Sequence, residues 1–385
     1  MTGNYFEKAM SLLDLPHDLD GYVLDLKKKN ELLAKKIDSS EIMLCGLSDP
    51  AKRLIDSGFL DGRIIGIYDT ISNASSYKNI PVARFGKMKD EPPSPHHLYI
   101  IMTSVFLGDY VRVLREIGAE GILSYHMLTI LCPDLDVFAP RYDLATTTLQ
   151  MRSIVGDKEY SKQMLLNLGD DESKRIFGGM ICYLLDNDLD AAVGIKSKNS
   201  VYFDPGLMDV KNGAVVVDGG GFNGDTLEEF LALADDFSAY HLFEPDESLL
   251  KHVKRRVSDC RVLFHAKALY DKPACLRFKT DSTGMGRFAE DGEITVPCVS
   301  LDEAVAEKIS HIKLDVEGAE LSALAGATKQ IERNKPYLAI SVYHKADDIP
   351  VLSQFVKSHV PAYRFYFRCS FNSFFNDLIL ICTTQ

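Results

Sequence analysis

The run Val215-Val216-Val217-Asp218, followed at once by Gly219-Gly220-Gly221-Phe222-Asn223-Gly224-Asp225-Thr226, constrains this chain more than any other segment. A continuous apolar run that ends in an acid reads as a strand buried on both faces. The glycines let backbone pass close to a ligand at the carboxyl end of that strand, where a Cβ would not fit. Leu227 to Ala234 then reads as a helix, whose free N–H groups and positive dipole end favour a carboxylate or phosphate. From about Asn212 onward the chain is therefore predicted to be an α/β domain that binds a nucleotide-type cofactor. A glycine-rich turn by itself is also compatible with simple structural use.

A second strand, Tyr240 to Phe243, runs into Glu244-Pro245. Two adjacent ribose hydroxyls need a bidentate acceptor, and a carboxylate at this strand end supplies one. The plainer alternative is a charged residue at a strand terminus. Val262 to Leu269 reads as a third strand leading into an irregular stretch with turns at Ser282-Thr283-Gly284. His311 to Asp315 reads as a fourth, followed by Val316-Glu317-Gly318-Ala319-Glu320 and a helix from Leu321 to Glu332. Pro336 to Tyr343 is a fifth strand closing on His344. Tyr363–Arg368 and Leu378–Cys382 suit antiparallel strands at one edge.

With these elements in place, the spacing Asp218-x-Gly220-x-x-x-Gly224 resembles the loop of class I methyltransferases and not the dinucleotide pattern G-x-G-x-x-G. The string Lys313-Leu314-Asp315-Val316-Glu317-Gly318-Ala319-Glu320 resembles the signature of FkbM-type methyltransferases. Asp218 to Thr226, Phe243-Glu244-Pro245, Val299 to Asp302 and Tyr343-His344 are similar to that family in order and spacing. The resemblance covers roughly residues 200–385. It implies a doubly wound class I methyltransferase sheet, mostly parallel with an antiparallel edge strand, and S-adenosylmethionine as cofactor. It also implies O-methylation of a hydroxyl on a sugar, glycan or secondary metabolite. N- or C-methylation on the same fold, or a scaffold protein that has lost catalysis, are the alternatives. By position, Asp218, Gly220, Gly221, Asn223, Gly224 and Thr226 would hold the methionine end, Glu244 and Pro245 the ribose and adenine edge, and Asp315 would sit beside the sulfonium. The chain departs from the commoner family pattern at Gly219, Phe222 and Cys369.

Methyl transfer to oxygen requires alignment and benefits from a general base worth roughly 10²–10⁴-fold. The candidates at strand ends are His344, Glu317 and Asp315. An unperturbed histidine pKa of about 6.5 suits base work. Two have a plainer role: His344 as a strand-end cap, Glu317 as a helix-dipole acid. Glu320 reads as a helix-terminus acid. A metal held by Asp315 and Glu317 lacks a third ligand assignable from sequence, so no metal site is assigned.

At 385 residues the chain is long for one domain, and 46% hydrophobic with 25% charged residues provides for real cores. Residues 1–40 read as a helical packing or oligomerisation segment. Residues 41–139 alternate strand and helix, predicting a smaller Rossmann-like α/β domain. Its phosphate loop is degraded to Gly46-Leu47-Ser48-Asp49-Pro50, with Asp69 where a ribose-binding acid would stand. Residues 140–211 read as a helical connector or lid, and 212–385 as the cofactor domain. A net charge of −12 argues against a nucleic-acid partner and fits a small-molecule or glycan acceptor better. Eight scattered cysteines without metal spacing, the absence of a signal-type N-terminus and the absence of a membrane-length apolar run predict a cytoplasmic protein.

Overall fold

The computed structural model describes residues 4–90, 94, 96–133, 135, 144–208, 213–234, 236–280, 286–288, 291–374 and 377–385. The proline-rich loop at 91–95 lies largely outside them. So do the turn at 282–284 and the two boundaries expected near 139 and 211. The chain forms two compact units. One comprises Met1–Leu166, Asp171–Lys196 and Cys369–Asp377; the other comprises Asn167–Asp170, Ser197–Arg368 and Leu378–Gln385.

In the first unit, helices Tyr5–Asp14 and Leu19–Lys29 start at Asn4 and Asp18, whose side chains accept from Glu7 N–H and Gly21 N–H. These caps satisfy donors that a helix start leaves free. The sheet uses β1 (Glu41–Cys45), β2 (Ile64–Asp69), β3 (Ser76–Tyr77), β4 (Ile80–Arg84), β5 (His97–Ile101) and β6 (Ile122–Ser124) in the order β3-β4-β2-β1-β5-β6. All pairings are parallel except β3 with β4, as the alternating pattern predicts. Asp69 ends β2 and accepts backbone N–H groups from Leu47, Ile71 and Ser72. Its carboxylate is thus the clasp of two loops at the rim of a 270 Å³ cavity that Gly46, Ser48, Lys52 and Thr103 also line. Residues 140–211 divide between the units. Helix Asp171–Asp186 packs on Tyr5–Asp14 in the first, and residues from Ser197 belong to the second.

The second unit is built on β7 (Ala214–Gly219), β8 (Phe237–Phe243), β9 (Val262–His265), β14 (His311–Leu314), β15 (Tyr337–Ser341), β16 (Arg364–Cys369) and β17 (Leu378–Thr383). Their order is β16-β17-β15-β14-β7-β8-β9. Every pair among β15, β14, β7, β8 and β9 is parallel, and β17 runs antiparallel to β15. Central β7 is buried throughout, as its unbroken apolar run requires. Val216, Tyr240, Leu242, Phe230 and Ile381 meet in the core beside it.

The stretch read as irregular is a second, four-stranded sheet: β10 (Ala268–Leu269), β11 (Ala274–Thr280), β12 (Gly286–Phe288) and β13 (Ile294–Val299). Its core is small, with Phe278, Val296 and Cys298 at its centre, and Pro297 interrupts the β13 pattern. Both features hid it from a periodicity reading. The helix expected from Leu321 to Glu332 is two, Glu320–Ala325 and Thr328–Asn334, broken at Gly326-Ala327. A further helix, Asp348–His359, carries Pro350 in its first turn, where the missing N–H costs nothing. Among the described residues no helix is long and apolar enough to cross a membrane, and no cysteine forms a disulfide.

Candidate active site

In the seven-stranded sheet, β8 lies on one side of β7 and β14 on the other, so successive connections from β7 leave in opposite directions. The crevice at the carboxyl ends of β7 and β14 is where open α/β sheets bind ligands. The glycine loop fills one wall. Gly220 has φ +79°, and an added Cβ there would collide with the Asp315 carbonyl oxygen at the end of β14. Gly224, with φ +82°, starts the helix Asp225–Leu233. Asn223 accepts the Asp225 N–H, and Thr226 is nearly buried against Asp225. The loop presents backbone, as the sequence pattern requires.

Asp218 does something other than face a ligand. It is fully buried, its Oδ1 lies 2.9 Å from Lys313 Nζ, and its Oδ2 accepts the Tyr240 hydroxyl at 2.8 Å. Lys313 also donates to the Gly220 carbonyl at 2.6 Å and lies 5.3 Å from the Tyr202 ring centroid. Burial would lower the lysine pKa, but the charges of Asp218 and Asp315 outweigh it and raise it. Asp218 is therefore turned inward, onto a buried cation that also holds the Gly220 carbonyl. The sequence does carry a signal for Lys313, because a lysine inside an apolar strand must find a partner.

Glu244 sits at the end of β8 beside the loop. Its Oε2 accepts the Phe222 N–H at 2.9 Å and its Oε1 the Asp246 N–H at 2.8 Å. Burial raises its pKa, and those two backbone donors partly offset the rise. Each oxygen keeps acceptor capacity for a diol. Pro245 follows at a partly exposed position, and Asp246 caps the next helix through the Ser248 and Leu249 N–H groups.

Past β14 and β15 the remaining candidates come together. Asp315 accepts the Tyr202 hydroxyl at 2.9 Å and the Tyr343 hydroxyl at 3.4 Å. Burial works against its ionisation, but Lys313, His344 and the Tyr202 hydroxyl hold its pKa below the usual value. Glu317 and Gly318 both take positive φ, +54° and +93°. This turn is tied by Glu320, whose Oε1 accepts the Val316 N–H at 3.0 Å and the Gly318 N–H at 3.3 Å. The same oxygen meets His344 Nδ1 at 2.9 Å. Glu320 is 1% exposed, so it is the keystone of the turn more than a helix-terminus acid.

His344 differs from the unperturbed base expected from sequence. Burial would lower its pKa, yet the Glu320 hydrogen bond and the charges of Glu320, Asp315 and Glu317 push it up to about 9. The third group that sequence failed to pair with Asp315 and Glu317 is also present. His344 Nε2 stands 3.4 Å from Asp315 Oδ1 and 3.6 Å from Glu317 Oε2. Tyr202, Tyr240 and Lys313 were given no role from sequence, and Glu320 was read only as a helix-terminus acid. The tyrosines carried no local signal, since their partners are remote along the chain.

A parallel sheet with a glycine loop after its central strand, an acid ending the next strand and an acid–histidine cluster across the crevice defines an α/β domain of the methyltransferase class. Residues 218–370 match the sequence profile of the methyltransferase FkbM domain, and the chain carries an FkbM-type methyltransferase domain over that span. The crystal structure of methyltransferase FkbM from Methylobacillus flagellatus KT is similar at TM-score 0.68 and 18% identity, covering 94% of this chain and 99% of that one. An rRNA methylase from Streptococcus thermophilus is similar at TM-score 0.29 and 16% identity, covering 46% of this chain and 90% of that one. No curated protein matches the chain.

Proposed function

We propose that this domain takes a methyl group from S-adenosylmethionine and places it on a hydroxyl oxygen of a sugar, glycan or small metabolite. The observation that carries the cofactor assignment is Glu244, buried at the end of β8 and locked to Phe222 N–H in the glycine loop. That arrangement sets a carboxylate for a ribose diol beside a backbone cradle that a Cβ at Gly220 would fill. Bound S-adenosylmethionine would supply an electrophilic methyl group on a sulfonium. The loop from Gly220 to Gly224 and the start of the next helix would receive its amino-acid end, and Glu244 and Pro245 its nucleoside end.

The acceptor side is assigned to Asp315, Glu317 and His344. Asp315, kept ionised, presents negative charge near the donor position; Glu317 and His344 face it across the crevice. With His344 Nδ1 held by Glu320, the hydroxyl proton passes to a carboxylate oxygen of this cluster. Holding the hydroxyl in line is the larger contribution, because alignment supplies several kcal/mol, about 7–11 at the extreme. The net charge of −12 favours neutral hydroxyl-bearing acceptors over nucleic acid.

The test is a transfer assay with isotope-labelled S-adenosylmethionine over a panel of glycans and hydroxylated metabolites. Label in an ether-linked methyl group is the expected product. Label recovered only on nitrogen or carbon would overturn the oxygen assignment.

A further inference from the structure

We propose that His344 Nε2, Asp315 and Glu317 form a binding site for one divalent cation of the manganese or magnesium type, with Glu320 orienting the imidazole from behind. The role of such an ion in catalysis rests on the methyl-transfer assignment above; its binding does not.

Four features of the cluster point the same way. The first is the direction of the ring. Nδ1 is held by Glu320 Oε1 at 2.9 Å, and Nε2 is left facing Asp315 and Glu317. Histidines that bind metals commonly give their other ring N–H to a carboxylate, which fixes the tautomer and aims the ligand nitrogen. The second is that Nε2 has no hydrogen-bond partner although the His344 side chain is only 9% exposed. A buried polar atom without a partner needs a reason, and an ion is one of the standard ones.

The third is spacing. Nε2 lies 3.4 Å from Asp315 Oδ1 and 3.6 Å from Glu317 Oε2, close to the roughly 3 Å that separates neighbouring ligands around a small octahedral ion. A related grouping, Asp315, Glu320 and His344, has ligand atoms within 4.8 Å of one another, with Glu320 bonded to Nδ1 behind the ring.

The fourth is charge. Asp315, Glu317 and Glu320 surround one histidine, while the neighbouring Lys313 is shared with Asp218. Carboxylates gathered out of water are costly unless cations balance them. An imidazolium supplies one positive charge; a divalent ion on a neutral imidazole supplies two. Two carboxylates with one imidazole suit manganese or magnesium better than a thiolate-seeking metal. Such an ion would bind the acceptor hydroxyl as a further ligand and lower its pKa, so a hydroxyl with an oxygen on the neighbouring carbon, as on a sugar, would be the preferred acceptor.

Chelator-treated full-length protein is titrated with Mn²⁺, reading the free ion by electron paramagnetic resonance. The same preparation is titrated with S-adenosylhomocysteine by calorimetry. Uptake of one Mn²⁺ per chain is expected, lost in Glu317→Gln and His344→Gln and weakened roughly 10–100-fold in Glu320→Gln. Glu317 is partly exposed, so Glu317→Gln carries the test if the other variants fail to fold. No uptake by the wild type, or equal uptake by wild type and Glu317→Gln, would overturn the site. S-adenosylhomocysteine binding without Mn²⁺ uptake rejects the metal site alone. Mn²⁺ uptake without S-adenosylhomocysteine binding rejects the cofactor assignment and leaves the metal site standing.

Discussion

Lys313 brings its ammonium to 2.9 Å from Asp218 Oδ1 and donates to the Gly220 carbonyl at 2.6 Å, so one buried cation ties β7, β14 and the glycine loop together. Removing one member of such a pair leaves the other charged and unpaired in the core. Lys313→Met is therefore expected to cost about 3–5 kcal/mol of stability. Lys313→Met with Asp218→Asn should recover most of that loss, since replacing both partners of a buried pair is often near neutral. Urea denaturation of the three proteins measures it. A single variant as stable as the wild type would mean that the pair does not hold the loop.

Gly220 combines φ +79° with direct contact between its backbone and the end of β14. Gly220→Ala is expected to destabilise by more than about 1 kcal/mol, because the left-handed conformation and the collision with Asp315 both oppose a side chain. It should also displace the loop and weaken S-adenosylhomocysteine binding. Denaturation and calorimetry on the same variant read both effects. Retention of both properties would show that the loop has room that the structure does not give it.

His241 Nδ1 and His265 Nε2 meet at 3.1 Å between β8 and β9, and His265 stacks on Phe243. Burial, then the charges of His241 and Lys267, push the His265 pKa down to about 4. A group depressed in the folded state below its unfolded value of about 6.5 contributes stability above that value. The contribution is lost as pH falls toward about 4, because the unfolded chain binds the proton first. The urea midpoint should drop between about pH 7 and pH 5, and His265→Phe should drop less. Equal drops would remove His265 from the acid sensitivity.

Most of the C-terminal half was legible because its signals are local. Val215 to Asp218 is uninterrupted, the glycines sit where backbone must turn, and Glu244 ends the next strand. What escaped depends on contacts between residues far apart in sequence. Asp218 looked like a ligand residue, and only the placement of Lys313 and Tyr240 turns it inward. His344 looked like a free base until Glu320, Asp315 and Glu317 closed around it. The four-stranded sheet from β10 to β13 escaped because its strands are short and Pro297 breaks the alternation.

Calorimetric titration of the full chain with S-adenosylhomocysteine tests the central claim most directly. The wild type should bind one equivalent through the loop and Glu244. Glu244→Ala should weaken binding roughly 10–100-fold, the worth of hydrogen bonds to a charged group. No heat with the wild type at high micromolar ligand would contradict the claim, and so would equal binding by Glu244→Ala.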